Sequence, residues 1–236
     1  MKIGIIAAME PELKELTQRL ENTKSQQKAG FEFYEGHLEG TDVVLLLSGI
    51  GKVNAAVGTA LLIENFAPTT IINTGVAGGF NTSLNPGDVV ISTEVRHHDA
   101  DAQCFGYAYG QVPGMPEAYL PDEKLLHLAL ESAQKSTSHQ VESGLIVSGD
   151  IFIHKPQDAK RILEVFPHAL AGEMEAAAVA QTCHRFSIPW IMARSLSDII
   201  GSGENALEYE QFLPMAARQS THFVITLAQA ITREFQ

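Results

Sequence analysis

Short apolar runs alternate along this chain with longer segments of helical spacing, and that alternation leaves few folds open. Residues 2–8, 43–48, 70–74, 88–93, 144–148, 169–172 and 190–195 are aliphatic and largely β-branched, as strands buried on both faces are. Between several of them, residues 11–20, 53–66, 122–135, 157–165, 174–186 and 208–235 place apolar side chains three and four apart, the spacing of helices that cover a sheet. Strands and helices in alternation predict an α/β fold. With 236 residues, 45% of them hydrophobic, and no linker, charge block or internal repeat, a single domain over residues 1–236 is expected.

The charge balance excludes some partners. Sixteen Lys and Arg stand against 28 Asp and Glu, a formal charge of −12, and no basic run is present, which argues against nucleic acid. The opening MKIGIIAAME is apolar only as far as Met9, and no segment reaches the roughly 18 uninterrupted apolar residues of a membrane span. A cytoplasmic protein with no membrane partner is expected. Cys104 and Cys183 lack CxxC spacing and read as free thiols.

In α/β sheets, ligands gather where strands end and helices begin. Here those places carry AAMEPELKEL, SGIGKVNAA, NTGVAGGF, VSGDIF, GEMEAAA and RSLSDIIG. The glycines fit neither GxxxxGK[ST] nor GxGxxG, so no nucleotide-phosphate site is indicated. The acids are more telling: Glu12, the pair Glu173 and Glu175, and Asp198 come from different loops of one sheet edge. An acidic helix start gains only about 0.3–1 kcal/mol from the helix dipole and needs no such convergence. Glycosidic cleavage does need it, because one carboxyl protonates the leaving group, another activates water, and negative charge favours a cation-like sugar.

AAMEPE, SGIGKVNAA, INTGVAGGF, RHHDADAQCFGYAYGQVPG, GLIVSGDIFI, GEMEAAAVAQ and RSLSD, in that order and spacing, resemble the bacterial 5′-methylthioadenosine/S-adenosylhomocysteine nucleosidases over nearly the whole chain. The resemblance implies a three-layer α/β/α nucleoside phosphorylase-like fold with a mixed central sheet, a homodimer, no metal or organic cofactor, and hydrolysis of the adenine–ribose bond. It makes Glu12 the base that activates water and Asp198 the acid that protonates adenine N7. Burial beside Ile199 and Ile200 would help keep Asp198 protonated, while Arg194 pointing inward would oppose it. Glu175 would bind the ribose hydroxyls, and Met174 would pack on the ribose. Phe152 would stack on adenine, with the Ile153 backbone at the purine's polar edge and Gly78 lining the same cavity. Arg194 would be among the substrate-binding residues, and Glu173 would order the turn or support the water and Arg194 network. Met9, Ile50 and Tyr209 would hold the 5′-substituent, and Phe105, Tyr107 and Pro113 would come from the other subunit.

The chain also departs from the family pattern. Val76 stands where Ser is common and removes a hydroxyl near the water and ribose; Ala102 is smaller than usual, Tyr209 replaces Phe, and residues 199–207 are more apolar. Three other readings stay open. Phosphorolysis would need a cation for phosphate, yet Asn73 stands where the phosphorylases compared have Arg. His97, His98, Asp99 and Asp101 offer metal-ligand atoms, though at poor spacing for a strand. A catalytically silent nucleoside-binding protein is the third.

Overall fold

The computed structural model describes residues 1–81, 83–200 and 205–235. In chain order the strands are β1 (Ile3–Ala7), β2 (Leu20–Lys28), β3 (Phe31–Leu38), β4 (Thr41–Leu47), β5 (Thr70–Asn73), β6 (Val76–Gly79), β7 (Val89–His97), β8 (Val141–Ser148), β9 (Ala169–Glu173) and β10 (Trp190–Ile199). The α-helices are α1 (Glu10–Gln18), α2 (Lys52–Phe66), α3 (Glu123–Ser136), α4 (Pro156–Val165), α5 (Ala176–Phe186) and α6 (Asn205–Phe235).

The strands form one mixed sheet in the order β2-β3-β4-β1-β5-β10-β6-β9-β8-β7, and β7 also pairs with β10, closing the last five into a ring. Strand parity sorts the core. Ile3 and Ile5 of β1 join Val43 and Leu45 of β4 beneath α1, α3 and α6, whereas Ile6, Val44 and Leu46 face α2 and α5. Both faces of the central strands are thus covered, which is why they read as continuous apolar runs. The arrangement is the expected α/β/α sandwich, with α4 packed through Ala159 and Ile162 on a third cluster beside the ring.

Several boundaries differ from the sequence reading. Leu20 ends no helix but starts β2, an edge strand exposed beyond that residue, which pairs with β3 across the turn at Ala29 and Gly30. The glycine stretch expected as a loop is partly a strand, β6, wedged between β10 and β9. β10 runs on to Ile199, so Asp198 sits on a strand end rather than in the loop after it. Residues 201–204 of the apolar stretch following Asp198 lie outside the described residues.

Candidate active site

Glu12 is seated by main-chain groups. It is the third residue of α1 and folds back so that Oε2 accepts from the N–H of Ala8 at 3.0 Å and of Met9 at 2.9 Å, satisfying donors that a helix start leaves open. Oε1 accepts from the Val76 N–H at 3.0 Å, a contact spanning 64 residues. Gly75 makes the approach possible: its φ is +145°, and a Cβ there would stand 2.6 Å from Glu12 Oε1. Glu12 is 2% exposed. Burial raises its pKa, overriding the three N–H groups and the Arg194 charge that pull it down.

Glu173 and Glu175 divide their work. Glu173 closes β9 and turns its carboxylate onto the start of α5, accepting from Glu175 N at 3.0 Å and from Ala176 N at 2.9 Å. It also accepts from the Ser148 hydroxyl and, at 2.7 Å, from Arg194 Nη2. Glu173 therefore orders the turn and pairs with Arg194, the supporting role expected for it. Glu175, two residues on, directs Oε1 to the Gly51 N–H at 2.8 Å. Burial lifts the pKa of Glu175, and the neighbouring Glu173 charge lifts it further.

Arg194 is 2% exposed and does not line the cavity described below. Its Nη2 also donates to Asn73 Oδ1 at 2.6 Å, and Nη1 donates to the Ala193 carbonyl at 3.1 Å. Asn73, which the sequence reading weighed only as a missing arginine, thus helps hold this guanidinium, and its own Nδ2 donates to the Ile6 carbonyl at 3.0 Å. Removing one partner of a buried ion pair strands the other charge. Arg194→Met is expected to lower unfolding stability by about 3–5 kcal/mol, read by chemical denaturation; a loss below about 1 kcal/mol, the scale of an exposed pair, would contradict a structural role for this bridge.

Asp198, 2% exposed, reaches the site through an irregularity. The pairing of β10 with β6 shifts register between Leu196 and Asp198, and the consecutive side chains of Ser197 and Asp198 both line the cavity, which strict alternation would forbid. Ser197 Oγ donates to Asp198 Oδ1 at 2.7 Å. Sequence reasoning missed Ser197, although a hydroxyl beside the proposed acid in RSLSD was the available signal. Gly78 keeps the carboxyl accessible: a Cβ there would lie 3.2 Å from Asp198 Oδ2 and 2.6 Å from Ile200 Cγ1.

These groups meet in one cavity, whose empty space including its open mouth is about 510 Å³. Glu12, Glu175 and Asp198 line it with Met9, Ile50, Val76, Gly78, Phe152, Met174, Ser197 and Tyr209. Ile153 borders an adjoining chamber shared with Gly78, Phe152, Met174 and Asp198. At the mouth the Tyr209 ring stands edge-on to Phe152, centroids 5.5 Å apart, and the Tyr209 hydroxyl reaches Met9 Sδ at 3.2 Å. Phe105 is 80% exposed, Pro113 is exposed and Tyr107 half-buried; none of the three lines this chain's own cavity. Val76 offers the cavity no hydroxyl, but its N–H holds Glu12, so the seat of that carboxylate does not depend on the side chain at 76.

RHHDAD serves packing and loop attachment. His97 Nε2 meets Gln181 Oε1 at 2.9 Å, and Asp99 binds Lys52 and the Asp150 N–H. Among the described residues no three His, Cys, Asp or Glu side chains group as a metal site requires.

Comparison with known proteins gives this geometry its family. Residues 2–229 match the phosphorylase superfamily. The 5′-methylthioadenosine/S-adenosylhomocysteine nucleosidase of Anoxybacillus flavithermus is 50% identical over 233 residues, 99% of this chain and all of that protein. The chain belongs to this nucleosidase family. Solved family structures agree: the Neisseria meningitidis nucleosidase in complex with methylthio-immucillin-A has a TM-score of 0.94 at 44% identity, covering 97% of this chain and 99% of that one. The nucleosidase of Colwellia psychrerythraea 34H in complex with adenine has a TM-score of 0.95 at 43% identity, covering 98% and 95%.

Proposed function

We propose that this nucleosidase hydrolyses the N-glycosidic bond of 5′-thio-substituted adenosines, 5′-methylthioadenosine and S-adenosylhomocysteine among them, to adenine and the free sugar. The observation that carries this reading is the convergence of Glu12, Glu175 and Asp198 on one cavity from α1, the start of α5 and the end of β10. Glu12 takes a proton from water as the oxygen attacks the anomeric carbon. Glu175 accepts hydrogen bonds from the ribose hydroxyls and favours positive charge on the sugar. Asp198 delivers a proton to adenine N7, so that the base leaves neutral. Phe152 supplies an aromatic face for the purine, and Met9, Ile50 and Tyr209 form an apolar end for the 5′-group.

The lining supports water over phosphate as nucleophile. No Lys or Arg is among the described cavity-lining residues, and Arg194 is already bound to Glu173 and Asn73. A dianion placed beside the carboxylates of Glu12, Glu173 and Glu175 would meet repulsion in a low-dielectric site. A homodimer belongs to the same proposal, with Phe105, Tyr107 and Pro113 completing the partner's site. So do a single domain over residues 1–236, supported by the one sheet, and a cytoplasmic location, which the free thiols Cys104 and Cys183 fit.

Adenine release from both nucleosides in phosphate-free buffer tests the reading. Turnover unchanged by added phosphate is expected. A sugar 1-phosphate product would establish phosphorolysis, and tight nucleoside binding without release would establish a silent binding protein. The pH dependence has a definite sign. Glu12 and Glu175 act as carboxylates, and burial raises both above 4.5, so on the acid side kcat/KM falls as pH drops through their raised pKa values. An acid limb at or below pH 4.5 would contradict the placement of these groups.

A further inference from the structure

Outside the cavity, one carboxylate joins two segments that carry its lining residues. Asp99, just past β7, accepts Lys52 Nζ on Oδ1 at 2.5 Å and the Asp150 main-chain N–H on Oδ2 at 3.0 Å. Asp150 Oδ1 in turn accepts the Lys52 main-chain N–H at 2.7 Å. The three residues close a circuit across contacts 47, 51 and 98 residues apart.

Its location gives the circuit meaning. Lys52 opens α2, whose N-cap is Gly51, a residue with no side chain to satisfy the helix start. Carboxylates from other segments do so instead: Asp150 takes the Lys52 N–H, and Glu175 takes the Gly51 N–H at 2.8 Å. The partial positive charge of a helix N-terminus favours both. The same hydrogen bond that helps cap α2 therefore orients Glu175. Two residues past Asp150 stands Phe152, followed by Ile153 at the adjoining chamber.

Asp99 itself does not line the cavity. The Lys52 and Asp99 side chains are only 21% and 20% exposed, so this pair is less screened than an open surface bridge. Burial pushes the Asp99 carboxyl up, but Lys52 and the Asp150 N–H outweigh it and hold it below the ordinary range.

We infer that Asp99 is a positioning residue for the reaction: through Lys52 and Asp150 it fixes the start of α2 against the Phe152 segment, and so sets Glu175 and Phe152 in register with each other. This rests on the proposed function in taking those two as the sugar and purine contacts. Loosening either wall leaves every cavity side chain present but misplaced, and misplacement of about 1 Å costs up to about a hundredfold in rate.

The test uses the full chain carrying Asp99→Ala, Asp99→Asn, Lys52→Met, Lys52→Arg or the double change Asp99→Ala/Lys52→Met. Three quantities are read: kcat/KM on 5′-methylthioadenosine, adenine affinity by calorimetry, and thermal midpoint. Asp99→Ala and Lys52→Met should each lower kcat/KM about tenfold or more and weaken adenine binding in the molecules that remain folded. Asp99→Asn, which keeps an acceptor for the Asp150 N–H, should lie between these and the wild type, and Lys52→Arg should restore most activity. The double variant should be no worse than the weaker single variant, as one linkage requires. Wild-type kcat/KM and adenine affinity in Asp99→Ala would overturn the inference. So would losses that merely track the unfolded fraction, or single effects that multiply in the double variant. If the wild type binds adenine but releases none from nucleosides, the proposed function fails and adenine affinity alone still decides on Asp99; a wild type that does neither overturns both.

Discussion

Asp198→Asn lowers kcat/KM by about 10²–10⁴-fold, the range of a lost general acid. Asparagine matches aspartate in shape and can accept the Ser197 hydroxyl where Oδ1 now does, at 2.7 Å. It has no carboxyl proton to give, so adenine would have to leave as an anion or wait for a proton from water. The variant stays folded because it removes a carboxyl that is 2% exposed without opening a cavity. Adenine still binds, since Phe152, Ile153 and the other walls of the adjoining chamber are unchanged. Steady-state kinetics with a thermal melt checks both halves. Wild-type turnover in a folded Asp198→Asn protein would remove Asp198 from the chemistry.

Glu12→Gln produces a loss of similar size, about 10²–10⁴-fold, for the complementary reason. Its amide cannot take the proton that attacking water must lose. The fit is also worse: Glu12 Oε1 faces the Val76 N–H and Oε2 faces the N–H groups of Ala8 and Met9, so one end of a glutamine must present its NH₂ to a donor. Some loss of stability accompanies the loss of activity, and nucleoside binding by calorimetry separates the two. The expected protein binds 5′-methylthioadenosine and scarcely cleaves it. Turnover at the wild-type rate would exclude Glu12 as the base.

How much was legible in the sequence depended on the physical signal each residue carries. Residues of β1, β4, β5 and β10 are buried on both faces and announce themselves as apolar runs, and α2, α3 and α4 were found within a few residues of their bounds. The β2–β3 hairpin was missed because an exposed edge strand, reading LENTKSQQK, has no apolar face to alternate. β6 was missed because VAGG reads as a turn; its glycines make room for Asp198, Ile200 and Leu196 rather than for a bend.

The site shows the same division. Glu12, Glu175 and Asp198 were reachable from their places after strands together with the family resemblance, and the structure brings all three to one cavity. Of the partners of Arg194, Glu173 was reached through the family resemblance, but Asn73, 121 residues away, was not. Nor was the seat of Glu12, which is built from backbone N–H groups that every residue but proline has. The Asp99 circuit was hidden for another reason: RHHDAD invites a metal reading, while its carboxylate binds a lysine from a different segment.

A crystal structure of the protein with a non-hydrolysable 5′-methylthioadenosine analogue measures most directly whether the acids surround one nucleoside. It should place the Asp198 carboxyl within about 3.2 Å of purine N7, Glu175 on the ribose hydroxyls, and a water between Glu12 and the anomeric carbon. A purine lying outside this cavity, or bound in it with Asp198 away from N7 and no water on Glu12, would contradict the account.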